Sequence, residues 1–153
     1  MQTEIVRLPF KQEKEALTHS YATAPLPKSV QQFLQSSELL SFLSALLQKK
    51  VIKVQATQFR FSWKDYTLLH DEKKEEPGID MIIDFTEKWN EEAGGNIFYS
   101  NGEGEYLKLS LAGNACAIAK RKEGISKFIK YVNTLSLEQK RYLLIGKIIL
   151  NNE

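Results

Sequence analysis

The sequence predicts a mainly β sandwich or jelly roll with helices packed at its N-terminal side, on three observations. After Lys49-Lys50 the chain is filled by short stretches rich in β-branched and aromatic residues, at 51–63, 79–85, 96–99, 106–111, 115–119, 128–132 and 142–150. Turn-forming clusters such as Asn101-Gly102-Glu103-Gly104 and Ala112-Gly113-Asn114 separate them. Helical spacing precedes them, in Val30, Phe33 and Leu34 and again in Leu39, Leu40, Phe42, Leu43, Leu46 and Leu47.

Taken in order, residues 1–27 read as an arm leading into a domain that spans 28–153. Ile5, Val6, Leu8 and Phe10 are expected to form a short strand. Pro25-Leu26-Pro27 then holds an extended lead-in, because proline restricts itself and the residue before it. Ser29 is the expected N-cap of a first short helix, and Ser36 or Ser37 of a second. In the second half, helical structure is expected only as a turn over 137–140. No internal repeat, low-complexity tract or linker divides the chain.

At 153 residues, with 42% hydrophobic and 26% charged content, the composition is that of a globular domain with a real core. The net charge of +2 carries none of the basic surplus expected of a nucleic-acid-binding domain. Cys116 is the one cysteine, which excludes an intramolecular disulfide and a cysteine-rich zinc site. Its apolar surroundings, Ala115, Ala117 and Ile118, make it an expected small buried hydrophobe. The first residues lack a long apolar stretch, and no run approaches the roughly 18 apolar residues that a membrane helix requires. A reduced, cytoplasmic setting without membrane contact is the expectation. There is no P-loop, dinucleotide fingerprint or nucleophile elbow.

Four segments, in order, carry a resemblance. Residues 59–72 form a strand-like stretch that ends in Leu68-Leu69-His70-Asp71-Glu72. Trp89, Glu92, Gly94, Gly95 and Ile97 are spaced as a turn entering a strand. Asn114 to Ile118 and Arg141 to Gly146 follow. Together they resemble the prolyl 4-hydroxylase-like 2-oxoglutarate/Fe(II) oxygenases over roughly residues 27–150. The first matches that family's His-x-Asp strand, the second its W-x-x-E-x-G-G-x-L turn, the third the strand preceding its second histidine, and the fourth its closing strand. The resemblance implies a double-stranded β-helix (a cupin-like jelly roll) and, as cofactors, Fe(II) and 2-oxoglutarate.

That chemistry needs two histidines and one carboxylate on one face of the iron, with the remaining positions open. By the resemblance, His70 is the first metal ligand and Glu72 stands where the family has aspartate; residues i and i+2 of a strand share a face. The second histidine is missing: the register places Ile129 at or beside its position, and the chain's other histidine, His19, is expected in the arm, outside the barrel. Arg141 occupies the place of the basic residue that clamps 2-oxoglutarate, a role suited to a bidentate guanidinium. Its alternative is a solvated arginine at a strand start. Leu143 replaces the hydroxyl that often accompanies it. Trp89 reads as core, the charged run 71–76 as a solvated loop, and Lys120-Arg121-Lys122, with Lys127 and Lys130 nearby, as a solvated basic cluster.

The reading is therefore an oxygenase-like domain with an incomplete iron triad, a non-catalytic binding or interaction module with a protein partner. Its alternatives are an active dioxygenase hydroxylating a protein side chain and a small-ligand-binding jelly roll of other descent. A fold does not carry its activity with it.

Overall fold

One large antiparallel sheet organises the chain, with helices on one face and a second, smaller sheet on the other. The computed structural model describes residues 2–68, 76–104, 106–111 and 113–151. The elements run α1 (Gln2–Val6), β1 (Lys11–Glu15), β2 (His19–Ala24), α2 (Lys28–Leu34), α3 (Ser37–Leu47), β3 (Val51–Phe61), β4 (Tyr66–Thr67) and β5 (Gly78–Asp84). They continue with β6 (Ile97–Ser100), β7 (Tyr106–Leu109), β8 (Ala115–Arg121), β9 (Ser126–Ile129) and β10 (Arg141–Leu150). The large sheet has the order β1-β2-β3-β10-β5-β8, with β4 also on β2; the small one is β7-β6-β9. From β5 onward the chain passes between the sheets: β6 and β7 in the small one, β8 in the large, β9 in the small, β10 in the large. This is the jelly-roll winding of a double-stranded β-helix, and every pairing is antiparallel.

Strand alternation gives the large sheet two different faces. On β10, Leu144 and Ile148 face the helices, where they join Val30, Leu34, Leu43, Val54 and Met81. Leu143 and Ile145 face the small sheet, where they join Phe61, Ile82, Ile97 and Ile129. The helices cover the first face with a narrow stripe: Leu43 is buried while Phe42 and Leu46 stay in water. Ser36 caps α3 by accepting from the Leu39 N–H at 3.2 Å. At its other end, Ser44 donates to Leu40 O and accepts from Val51 N–H at 2.9 Å, tying the helix to the start of β3.

The N-terminal segment departs from expectation. Instead of a strand through Ile5 and Phe10, a turn of helix sends Ile5 and Leu8 into the helix-side core and leaves Val6 exposed. A strand would put residues 5 and 8 on opposite faces, whereas a helical turn brings i and i+3 together. The rest of the expected arm supplies a hairpin of the large sheet, with β2 paired to β3 through Ala22↔Arg60, Thr23↔Phe59 and Ala24↔Gln58. Strand β1, Lys-Gln-Glu-Lys-Glu, is exposed along its whole length and so shows no hydrophobic pattern.

Ser29 is not a cap. Helix α2 begins just past Pro27, which serves as N-cap without a side-chain hydrogen bond, so the Ser29 hydroxyl reaches across to Glu4 instead, at 2.7 Å. The late helical turn forms at Thr134–Ser136, slightly before the expected place, where Asn133 accepts from Leu135 N–H. Cys116 is exposed, because β8 is the last strand of its sheet. No helix among the described residues is long and apolar enough to cross a membrane.

The capping contrast is measurable. Ser36→Ala is expected to lower unfolding stability by about 1 kcal/mol, the usual worth of an N-cap. Ser29→Ala, which removes one exposed hydrogen bond, should shift the urea midpoint much less.

Candidate functional site

A buried network at the start of β10 is built on Arg141. This first residue of β10 is fully buried, as is Asp84 at the end of the neighbouring β5. Its Nε and one terminal nitrogen donate to Asp84 Oδ2 at 3.2 and 2.9 Å. That same nitrogen reaches Leu111 O at 3.3 Å, and the other donates to Gly95 O at 2.7 Å and Asn96 Oδ1 at 3.2 Å. A guanidinium has five N–H donors, so this set of five bonds uses its full capacity. The Trp89 ring packs over the guanidinium, 5.6 Å from its centroid, and donates its own N–H to Gly94 O.

The glycine pair of this turn is set by close approach. Gly94 has φ of 83°, and a β-carbon there would lie 2.0 Å from Tyr131 O. Asn90 and Asn96 hold the rest of the turn, accepting from Glu92 N–H and donating to Glu91 O. The Trp89-to-Ile97 segment of the resemblance is thus a support for Arg141, and Trp89 is a packing residue.

Between the sheets lies an open cavity of about 510 Å³. Alternate residues of β3, Gln55, Thr57, Phe59 and Phe61, point into it, as period-two strands require. One side is aromatic: His19 stacks on Tyr21 at 4.7 Å, and Tyr21 meets Phe59 edge-on at 5.1 Å. Burial, and then the charges of Glu13 and Glu15, raise the Tyr21 pKa, so its hydroxyl stays protonated.

The other side is charged and centred on Asp80. Its Oδ2 accepts from Tyr99 Oη at 2.9 Å and Arg121 Nε at 3.2 Å and lies 3.4 Å from Lys127 Nζ. A second Arg121 nitrogen reaches Oδ1 at 3.4 Å, and a third donates to Glu76 O. Burial alone would raise the Asp80 pKa, but the Arg121 hydrogen bond, the Lys127 and Arg121 charges and the Tyr99 hydroxyl together bring it below its ordinary value. Lys147, directly across the ladder from Asp80, adds a further ammonium to the lining. This end is suited to holding an anionic group.

Several sequence expectations are corrected by this geometry. Arg141 is not a solvated arginine at a strand start but fully buried, hydrogen-bonded to Asp84, Gly95, Asn96 and Leu111, and it is not among the residues lining the cavity. His19 is not outside the barrel: pairing of β2 with β4, His19↔Thr67, puts it in the cavity wall. Arg121 is not solvated but 4% exposed, its charge directed inward to Asp80. Asp80, Lys127 and Lys147 were missed as cavity residues. His70 and Glu72 lie outside the described residues.

Ile129, which the sequence register puts at or beside the second histidine's place, is buried on β9, with its N–H donating to Thr67 Oγ1 at 2.7 Å. An aliphatic side chain offers iron no donor, and among the described residues no group of three His, Cys, Asp or Glu side chains converges as a metal site. Among the described residues the cavity wall carries one histidine and one carboxylate, His19 and Asp80, and Asp80 is already paired with Arg121.

Comparison with known proteins agrees with the fold. The family described as oxoglutarate and iron-dependent oxygenase degradation C-term matches residues 5–152. An oxidoreductase of the 2OG-Fe(II) oxygenase family from Burkholderia pseudomallei superposes with a TM-score of 0.71 at 12% identity, over 95% of this chain and 76% of its own. A Pseudomonas putida prolyl-4-hydroxylase gives 0.68 at 10% identity, over 96% and 82%. A prolyl hydroxylase from Trichoplax adhaerens, in complex with a hypoxia inducible factor oxygen degradation domain peptide fragment, gives 0.61 at 10%, over 97% and 77%. At such identities these likenesses establish the shared fold.

Two substitutions separate structure from ligand binding. Arg141→Ala leaves Asp84 buried and unpaired and is expected to cost about 3–5 kcal/mol of stability, as breaking a buried ion pair does. A cosubstrate clamp would leave the denaturation midpoint nearly unchanged. Asp80→Asn is expected to lower stability at neutral pH by at least about 1.5 kcal/mol, the worth of a charged hydrogen bond. Because the folded pKa of Asp80 lies below the unfolded one, its contribution is complete above the ordinary carboxylate range and is lost as pH falls through the folded value. The gap between wild type and variant should therefore close in acid, as read by urea unfolding across pH.

Proposed function

We propose that this chain, which belongs to the oxoglutarate and iron-dependent oxygenase degradation C-terminal family, is a non-catalytic binding module. In this reading the barrel serves for recognition instead of reaction. The observation that carries it is the closed network around Arg141: the residue that the sequence resemblance puts in the place of the cosubstrate clamp spends all five donors on Asp84, Gly95, Asn96 and Leu111. Ile129 at the second histidine position supports the same reading from the metal side. The cavity and the strand edges remain as surfaces for ligands and protein partners, in a cytoplasmic setting.

One observation favours the second reading, an active Fe(II)/2-oxoglutarate dioxygenase acting on a protein side chain. His19 lines the cavity, in register with Thr67, three residues before His70 in the chain. In that reading His19 joins His70 and Glu72 in holding the metal, and Arg121 or Lys147 replaces Arg141 toward the cosubstrate.

A calorimetric titration with Mn(II), a redox-stable substitute for Fe(II), tests both. It is run with and without 2-oxoglutarate, on the wild type and on His70→Ala and His19→Ala. The binding-module reading expects no binding that 2-oxoglutarate strengthens. Micromolar binding that 2-oxoglutarate enhances and either histidine variant abolishes would establish the dioxygenase reading in its place.

A further inference from the structure

We propose that the slot between the outer edges of β7 and β8 is a docking site for an extended acidic peptide of a partner protein, which adds to β8 as a further strand. The inference deepens the binding-module reading and rests on its interaction half. The slot is separate from the metal titration, so the two can fail independently.

The two sheets each end on this side of the barrel. Strand β8 pairs with β5 alone and β7 with β6 alone, and among the described residues no strand covers either outer edge. Between them lies a slot of about 570 Å³. Its lining includes three consecutive residues of β8, Ile118, Ala119 and Lys120, and the adjacent Tyr106 and Leu107 of β7. Consecutive strand residues point to opposite faces, so a wall containing them in succession is a strand edge, with its backbone donors and acceptors, and not a strand face. Such an edge is a template for another strand.

The chemistry of the slot selects the occupant. Toward the interior it is apolar, with Ala119, Leu109 and Ile125 packed beside the inter-sheet core. Toward solvent it carries the exposed Lys120 and Lys122, and no carboxylate is among its lining residues. Neither lysine has an ion-pair partner among the described residues; Lys108, on β7, is held by Glu91 at 3.2 Å. An added strand presents alternate side chains to these two sides. The fitting segment therefore alternates apolar residues, directed inward, with acidic residues that meet the lysines. The seven residues of β8 offer an edge about 23 Å long at the usual rise, room for a segment of similar length.

The test is selection from a displayed library of seven-residue segments between Gly-Ser flanks, followed by anisotropy titrations of the recovered peptides. The proposal expects alternating apolar and acidic sequences with micromolar affinity. N-methylation of peptide amides on the edge facing β8 should weaken binding at least tenfold, while N-methylation of the others should not. The double substitution Lys120→Glu, Lys122→Glu should weaken it to a similar degree with the melting temperature unchanged, since both lysines are exposed. Amide exchange should slow within β8 on binding.

Failure to enrich acidic sequences would overturn the proposal. So would affinity indifferent to N-methylation or to the lysine reversals, or protection located elsewhere. A concentration-dependent dimer, seen by sedimentation and protecting β8 without added peptide, would assign the slot to a second copy of the chain and overturn it as well.

Discussion

The buried ion pair of Arg141 and Asp84 ties the two sheets of the barrel together. It joins adjacent strands of the large sheet to the turn entering β6 and to the connection between β7 and β8, so both sheets hang on one guanidinium. Removing two charges from water costs several kcal/mol each, recovered only where geometry and further hydrogen bonds are complete. Here they are complete, and every group around the pair is committed. The Trp89 ring, the Gly94-Gly95 turn, Asn96 and Thr86 all serve this arrangement, and Thr86 also accepts the Tyr142 N–H next to Arg141. The Asp80 cluster repeats the design higher on β5, with Arg121 of the next strand as the partner. It differs in bordering the open cavity.

Most of the strands were legible in the sequence because half-buried β structure leaves a composition and period that short windows reveal. Strands β3, β5, β6, β8 and β10 fall where β-branched and aromatic residues cluster. The N-terminal hairpin was not legible, for opposite reasons in its two strands. Strand β1 is polar on both faces, and β2, His-Ser-Tyr-Ala-Thr-Ala, alternates in burial with residues too small or polar to register as hydrophobic. Strand β2 forms because pairing to β3 satisfies its backbone, and β1 because it pairs in turn with β2, which no local pattern announces.

The site was legible in outline and misread in its charges. Arg141 was singled out by its place at the head of the last strand, yet its partner Asp84 was the decisive information. A signal was present: Asp80 and Asp84 interrupt the otherwise apolar Ile79-Asp80-Met81-Ile82-Ile83-Asp84. Two carboxylates in a central strand demand buried cations, and burial unpaired is too costly. The sequence does not say which of 21 lysines and arginines answer them, because that depends on strand order. His19 was misplaced for the same reason, since only the pairing of β2 with β4 brings it inward.

Strand β1 has a consequence beyond its own pairing. It places five hydrophilic residues along one border of the large sheet, and its exposed lysines and glutamates make that border a poor template for any further strand. The opposite border, β8, runs through Ala115, Cys116, Ala117, Ile118 and Ala119 before its first charge at Lys120, with Tyr106 and Leu107 exposed close by. The two borders of the large sheet thus differ in chemistry: a neighbouring strand meets charged and polar side chains along all of one, and along only the end of the other.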